Sequence, residues 1–415
     1  MRLFLVDDAR ARHWSPFAET RPVGELRFGA LLLRERVERW LGAPCLGHVT
    51  EPQAGTSGLV GFDEPGSPPV LSDPGIEENG PGGTLFWLSR AAPELATPPP
   101  ELPGDAEVVV TMGGMVVGAW VPPGGALRPT RDRLGALGTD AGERQNTLPA
   151  EGRVLEWPWD LVDANADTLA ADLHHLHPSD RAYLPPEVHH VGDEPVSVDR
   201  SAHVGPGVIL DTREGPIRLD ADVTVEGPAR LVGPLHLGPG CTVFGGHLSR
   251  LSAGPVCKLR GEVDTSVLLG FVNKAHDGYL GHALAGRWVN LGALTTNSDL
   301  KNNYGSVRVE LPSGPVDTGL MKVGAFLGDH VKTGIGTVLN TGSVVGAGSN
   351  VFGGGMPPKL LSPFSWAGGG SVVPFRWAKF LEVAKVVVAR RGEPWTSGVE
   401  QVLRGLWEDT HGEGR

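Results

Sequence analysis

Two stretches of the chain carry residue types that can do chemistry. The first runs from Asn273 to Val307 and reads NKAHDGYLGHALAGRWVNLGALTTNSDLKNNYGSV. It holds His276, Tyr279 and Asn290, the cations Lys274, Arg287 and Lys301, and the turn-forming run Asn302-Asn303-Tyr304. A histidine titrates near neutrality and is the usual base when a protonated nucleophile has to be made neutral. The second stretch lies at the start of the chain, where LFLV ends in Asp7-Asp8 and Arg10, Arg12 and Arg21 follow. Three arginines suit bidentate capture of phosphate oxygens, and either aspartate is a candidate Mg²⁺ ligand. The histidines at 174, 175, 177, 189 and 190 have no carboxylate or cysteine to complete a metal set, so they read as linker residues.

These residues need scaffolds. At 415 residues the chain is too long for one compact core, and two domains are expected. Arg2–Val6 predicts a buried strand, and the apolar spacing of Leu26, Ala30, Leu33, Val37 and Leu41 predicts a helix, together the opening of an α/β domain. A second helix is predicted over residues 160–176. A Pro- and His-bearing linker over residues 178–195 follows.

Beyond it the period changes to six. Val198, Val204 and Leu210, then Leu219, Val225, Leu231, Leu237 and Val243, then Leu327, Thr333, Leu339, Val345 and Val351 recur at that interval. One inward apolar residue per short repeat means a solenoid, here a left-handed parallel β-helix. Helical spacing over 377–391 and 399–407 predicts terminal helices capping its open end. The expected division is therefore an α/β domain over 1–185, a β-helix over 186–372 and a helical tail over 373–415.

Net charge is −12 with no dominant Lys/Arg cluster, which argues against nucleic acid as a partner. No run of 18 apolar residues exists, so no membrane span is expected. The three cysteines lack paired spacing, and a reduced, cytoplasmic setting is expected.

The Asn273–Val307 block resembles the acetyltransferase half of the bifunctional enzymes that make UDP-N-acetylglucosamine. The shared pattern is His276, Tyr279-Leu280-Gly281, Val289 to Ala293, Thr295 and Asn297. It is similar, more closely, to a GlmU-like branch of bacterial sugar nucleotidyltransferases, on Gly261-Glu262, Asn273 to Gly278, Trp288 to Ala293 and Asn297 to Gly305. The N-terminal part of that pattern is Leu5 to Asp8, Thr20-Arg21-Pro22, Glu25 to Arg27, Gly29 and Arg34-Glu35.

The resemblance implies acetyl transfer from acetyl-coenzyme A to an amino-sugar 1-phosphate, with nucleotidyl transfer from a nucleoside triphosphate and Mg²⁺ on the N-terminal domain. It implies His276 as the base, Tyr279 and Asn290 against sugar and acetyl groups, and amides near Gly292 for the thioester oxyanion. Lys274, Arg287 and Lys301 become candidates for the anomeric phosphate, and Asn302, Asn303 and Tyr304 for closing over the sugar. A homotrimer with sites between chains is also implied. The sequence departs from the standard enzyme in four places, two of them being Asn297-Ser298-Asp299-Leu300 in place of the usual Asn-Tyr-Asp-Gly loop and Gly292-Ala293-Leu294 at a GAG-like turn. Asp264 stands where a phosphate-binding lysine is expected, and the loop after Val6 contains no glycine, leaving Arg10, Arg12 and Arg21 as phosphate ligands. Two other readings stay open: a nucleotidyltransferase with a non-catalytic β-helix, and a non-catalytic subunit that binds sugar nucleotides.

Overall fold

The computed structural model describes residues 1–50, 59, 61–71, 82–123, 137–142, 146–177 and 184–412. The apolar start of the chain forms the strand Arg2–Asp7, whose last five residues are buried. It pairs in parallel with Cys45–Thr50 on one side and Thr84–Leu88 on the other. Met115–Val121 then runs antiparallel to Thr84–Leu88, and Val108–Met112 antiparallel to Met115–Val121. Thr147–Pro149 and Val70–Leu71 form the two edges of this seven-stranded mixed sheet. Asp7-Asp8 therefore stands at the carboxyl end of an interior strand.

The helix expected over 26–41 is shorter. Val23–Glu25 is a single 3-10 turn, Arg27–Phe28 and Leu31–Leu32 pair as a small hairpin, and only Leu33–Leu41 is helical. The reason is Gly29, which adopts φ +65° and donates its N–H to Asn165 Oδ1 at 3.0 Å. The predicted 160–176 helix is likewise two pieces, Asp160–Asp163 and Asn165–Leu176, broken at Ala164. Asn165 is fully buried at that break, and its Oδ1 also takes a hydrogen bond from Ser252 Oγ at 3.3 Å.

From His189 onward the strands stack in parallel as a β-helix. Ile217 lies under Leu235, Asn273 under Asn290 and Ala325 under Ser343, so each coil takes roughly three six-residue sides. The period-six aliphatics point inward. Leu219, Val225, Leu231, Leu237 and Val243, with Leu327, Leu339, Val345 and Val351, belong to one continuous core. Val198 packs at its edge, and Thr333 sits in the ladder by bonding Thr295, Oγ1 to Oγ1, at 2.7 Å.

One coil is much longer. Leu284 stacks on Phe326, 42 residues later, because residues 298–322 leave the coil as an insert. The insert contains the hairpin Arg308–Leu311 and Gly314–Asp317. Its Val307, Val309 and Leu311 are buried against Phe326 and Val344 on the solenoid flank. That same apolar cluster includes Trp14, Phe17, Leu26 and Trp159, so the N-terminal domain docks directly on the solenoid.

The chain closes with the hairpin Ser365–Gly368 and Ser371–Pro374 and the helices Trp377–Ala389 and Ser397–His411. Phe380, Ala384, Leu403 and Leu406 pack on Ala347 and Phe364 of the last coils, as a cap requires. No described helix is long and apolar enough to cross a membrane.

Candidate functional site

His276 is exposed, at a corner just before the strand Tyr279–Gly281. Its neighbour Asp277 does not orient it, because that carboxylate pairs with Arg260 at 3.1 Å. Lys274 turns inward and is almost wholly buried. Its ammonium donates to the carbonyls of Arg260 at 2.9 Å and His276 at 2.6 Å, fixing the backbone that presents the imidazole. Burial, only partly offset by Asp277, pulls its pKa down to about 8.

Asn290 stacks one coil along from Asn273, whose Nδ2 donates to Asn290 Oδ1 at 2.7 Å. The Gly292 amide is engaged by Thr333, by its carbonyl and its Oγ1, both at 3.1 Å. The Gly292 amide itself is therefore engaged within the solenoid, and the expectation falls on its neighbours. Lys301 donates to the carbonyl of Ser306 at 2.5 Å, and Asn303 Oδ1 accepts from the Gly305 amide at 3.1 Å. Asn302, Asn303 and Tyr304 remain at the surface, Tyr304 being 67 % exposed.

Tyr279 is the centre of a tighter arrangement. Its hydroxyl donates to Asp299 Oδ2 at 2.7 Å, and the same oxygen accepts from His282 Nδ1 at 2.7 Å. The ring of Tyr279 reaches Asp299 by folding over Gly281. A Cβ there would sit 2.0 Å from the phenol oxygen, so only glycine permits the placement. Gly281 is further clamped by Asn297, which accepts from its amide at 2.9 Å and donates to its carbonyl at 2.9 Å. Burial alone would raise the Asp299 pKa, but the hydrogen bonds from His282 and Tyr279 lower it, so the carboxylate stays ionised. Burial and the hydrogen bond to Asp299 push the Tyr279 hydroxyl upward, so it remains a donor.

His282 and Asp299 are not among the site residues expected from the sequence, although both lie in the quoted block. They are 17 residues apart, which is the spacing that stacks Asn273 on Asn290. Coil length was the signal that relates them.

At the N-terminal domain the predicted ligands are engaged with one another. Asp7 is buried, accepts from Ser89 Oγ at 2.5 Å and lies 3.7 Å from Arg12. Desolvation outweighs these partners and raises its pKa. Asp8 caps the short helix Ala9–Arg12 and pairs with Arg90 at 2.9 Å. Both carboxylates are thus used, and among the described residues no group of three His, Cys, Asp or Glu side chains fits a metal ion. The pair does not suit Mg²⁺. Arg10 stacks on Trp157 and pairs with Glu156 at 3.3 Å.

Arg21 is buried and grips Glu64 through two nitrogens, at 2.8 and 2.9 Å, and Asp329 of the solenoid at 2.7 Å. Arg287 reaches the same Glu64 at 2.9 Å and lies over the Phe271 ring. A cavity of about 40 Å³ adjoins this cluster, lined by Thr20, Glu64, Arg287, His330 and Trp395. It has room for a water or two and none for a nucleotide.

Residues 3–56 match the family described as sugar nucleotidyl transferase. A curated relative from Sulfurisphaera tokodaii, named bifunctional sugar-1-phosphate nucleotidylyltransferase/acetyltransferase, is 32 % identical over 91 residues. That match spans 22 % of this chain and 23 % of the relative, so the chain matches about a quarter of its length. A solved N-acyltransferase from Bacillus cereus, AntD, crystallised with dTDP and coenzyme A, is 15 % identical. It covers 48 % of this chain and 91 % of its own, with a TM-score of 0.18, too low for a comparison of folds.

Proposed function

We propose that this chain is a sugar-nucleotide biosynthetic transferase whose β-helix moves an acetyl group from acetyl-coenzyme A to the amine of an amino-sugar 1-phosphate. The observation that carries this reading is the exposed His276, three residues before Tyr279 of the Tyr279–Asp299–His282 cluster, on a regular coil with an insert next to it. His276 is the base, and Tyr279 and Asn290 face sugar and acetyl groups. Lys301 and the Asn302–Tyr304 turn lie on the acceptor side. The relative that couples nucleotidyl and acetyl transfer supports the assignment. So does the similarity to enzymes making UDP-N-acetylglucosamine, with cell-envelope or surface-polysaccharide precursors as the context and the cytoplasm as the place.

A homotrimer is part of the proposal. Leu294 (60 % exposed) and Ile335 (75 %) present bare aliphatics on the solenoid beside the insert, a surface suited to a second copy.

For the N-terminal domain the family match supports nucleotidyl transfer from a nucleoside triphosphate. A second reading, in which this domain only binds and docks, is favoured by the engagement of Asp7, Asp8, Arg12 and Arg21 with protein partners.

The tests are separate. Thiol release from acetyl-coenzyme A with glucosamine 1-phosphate, lost in His276→Ala, is expected; its absence in the wild type rejects acetyl transfer to that sugar. Pyrophosphate release with a panel of nucleoside triphosphates and sugar 1-phosphates decides the N-terminal domain, and no product with any pair leaves the docking reading.

A further inference from the structure

An amino sugar meets the enzyme as an ammonium ion. For it to become an amide, nitrogen must bond to the thioester carbonyl carbon, the carbon–sulfur bond must break, and two protons must leave nitrogen. One has to go before attack, since an ammonium has no lone pair. The other goes during or after attack and returns to the departing thiolate. A single imidazole holds one proton at a time.

We propose that His282, held by Asp299, takes the first of these protons, leaving His276 to take the second. This rests on the acetyl-transfer reading. His282 and His276 stand three residues either side of Tyr279. Asp299 accepts from Nδ1 at 2.7 Å, which sets the tautomer with Nε2 as the acceptor. No described residue hydrogen-bonds Nε2, and the side chain keeps 15 % exposure. His276 has no such carboxylate, since Asp277 serves Arg260.

Asp264 and Glu262 act with Asp299 on Tyr279, and Lys322 is the cation acting on Asp299 from the insert. Arg250 neutralises Asp264 at 2.6 Å. After transfer the imidazolium is paired with Asp299, and its proton passes to solvent once the product leaves.

A purely structural role, tying the insert to the coil, is the competing account. His282→Asn separates the two, because the amide nitrogen stands in for Nδ1 while Nε2 is lost. With acetyl-coenzyme A and glucosamine 1-phosphate, kcat of this variant should fall about 100-fold near pH 7. KM and the melting temperature should hold. The loss should shrink to below about tenfold near pH 9, where solution supplies the neutral amine, whereas the His276→Asn loss stays constant. Unchanged kcat near pH 7, or an equal loss at both pH values, overturns the proposal and leaves acetyl transfer standing. If His282→Asn does not fold, the wild-type profile decides. Its kcat/KM should level off well below the amine's own pKa; a tenfold rise per pH unit continuing to that pKa overturns the proposal. A wild type that releases no thiol at any pH overturns both readings.

Discussion

Tyr279 and His282 share one carboxylate oxygen, and that sharing fixes what each can do. The phenol is held as a donor and the imidazole as an acceptor at Nε2. Because the phenol would collide with any Cβ at position 281, Gly281→Ala should push the ring away and cut acetyl transfer by at least about tenfold. Thiol-release kinetics would show it, and an unchanged kcat would mean the ring contributes nothing. A second residue-scale effect lies in the N-terminal domain. Burial would raise the Glu25 carboxyl, but hydrogen bonds from His48 and Arg34 lower it to about 2. A depressed carboxyl stabilises the fold above its unfolded pKa and loses that contribution as pH falls through the folded one. Thermal melts of wild type and Glu25→Gln should therefore differ near pH 6, by on the order of 3 kcal/mol of stability, and converge between about pH 4.5 and 2.

The coil is the element that governs the rest. Each inward leucine touches the coils above and below, so truncating one leaves a hole the stack cannot close. Leu231→Ala, at a position with no exposure, should cost about 2–5 kcal/mol by urea unfolding. Such residues were readable from sequence because the solenoid enforces one period over its whole length. The N-terminal helix was not, because its apolar residues serve different cores. Leu26 and Leu33 face the solenoid, Val37 faces the sheet, and Ala30 packs under the Asn165–Leu176 helix. A single amphipathic stripe was therefore a false inference from correct burial. The candidate site was half legible. The family resemblance of the Asn273–Val307 block picked out His276 and Tyr279, whereas the partner of Tyr279 depends on how 17 residues close one turn of a coil, and on an insert whose path no local pattern dictates.

At the scale of the molecule, Arg21 distinguishes two accounts of the N-terminal domain. As a phosphate ligand it could be removed without harm to the fold. As the latch seen here, it neutralises two buried carboxylates on separate parts of the chain. Arg21→Ala should then lower stability by about 3–5 kcal/mol, visible as a fall in melting temperature. A loss of pyrophosphate release with an unaltered melt would favour the ligand role instead. For assembly, Ile335→Glu should shift the sedimenting species towards the monomer if that aliphatic surface joins copies. The flank where Trp14 and Phe17 meet Phe326 and Val344 has a consequence for anyone dividing this protein. A fragment starting at residue 186 would bare oily ground on one side of the prism, and a fragment ending at 177 would bare its counterpart. Neither half should stay in solution by itself, and severed pieces should find each other again when mixed.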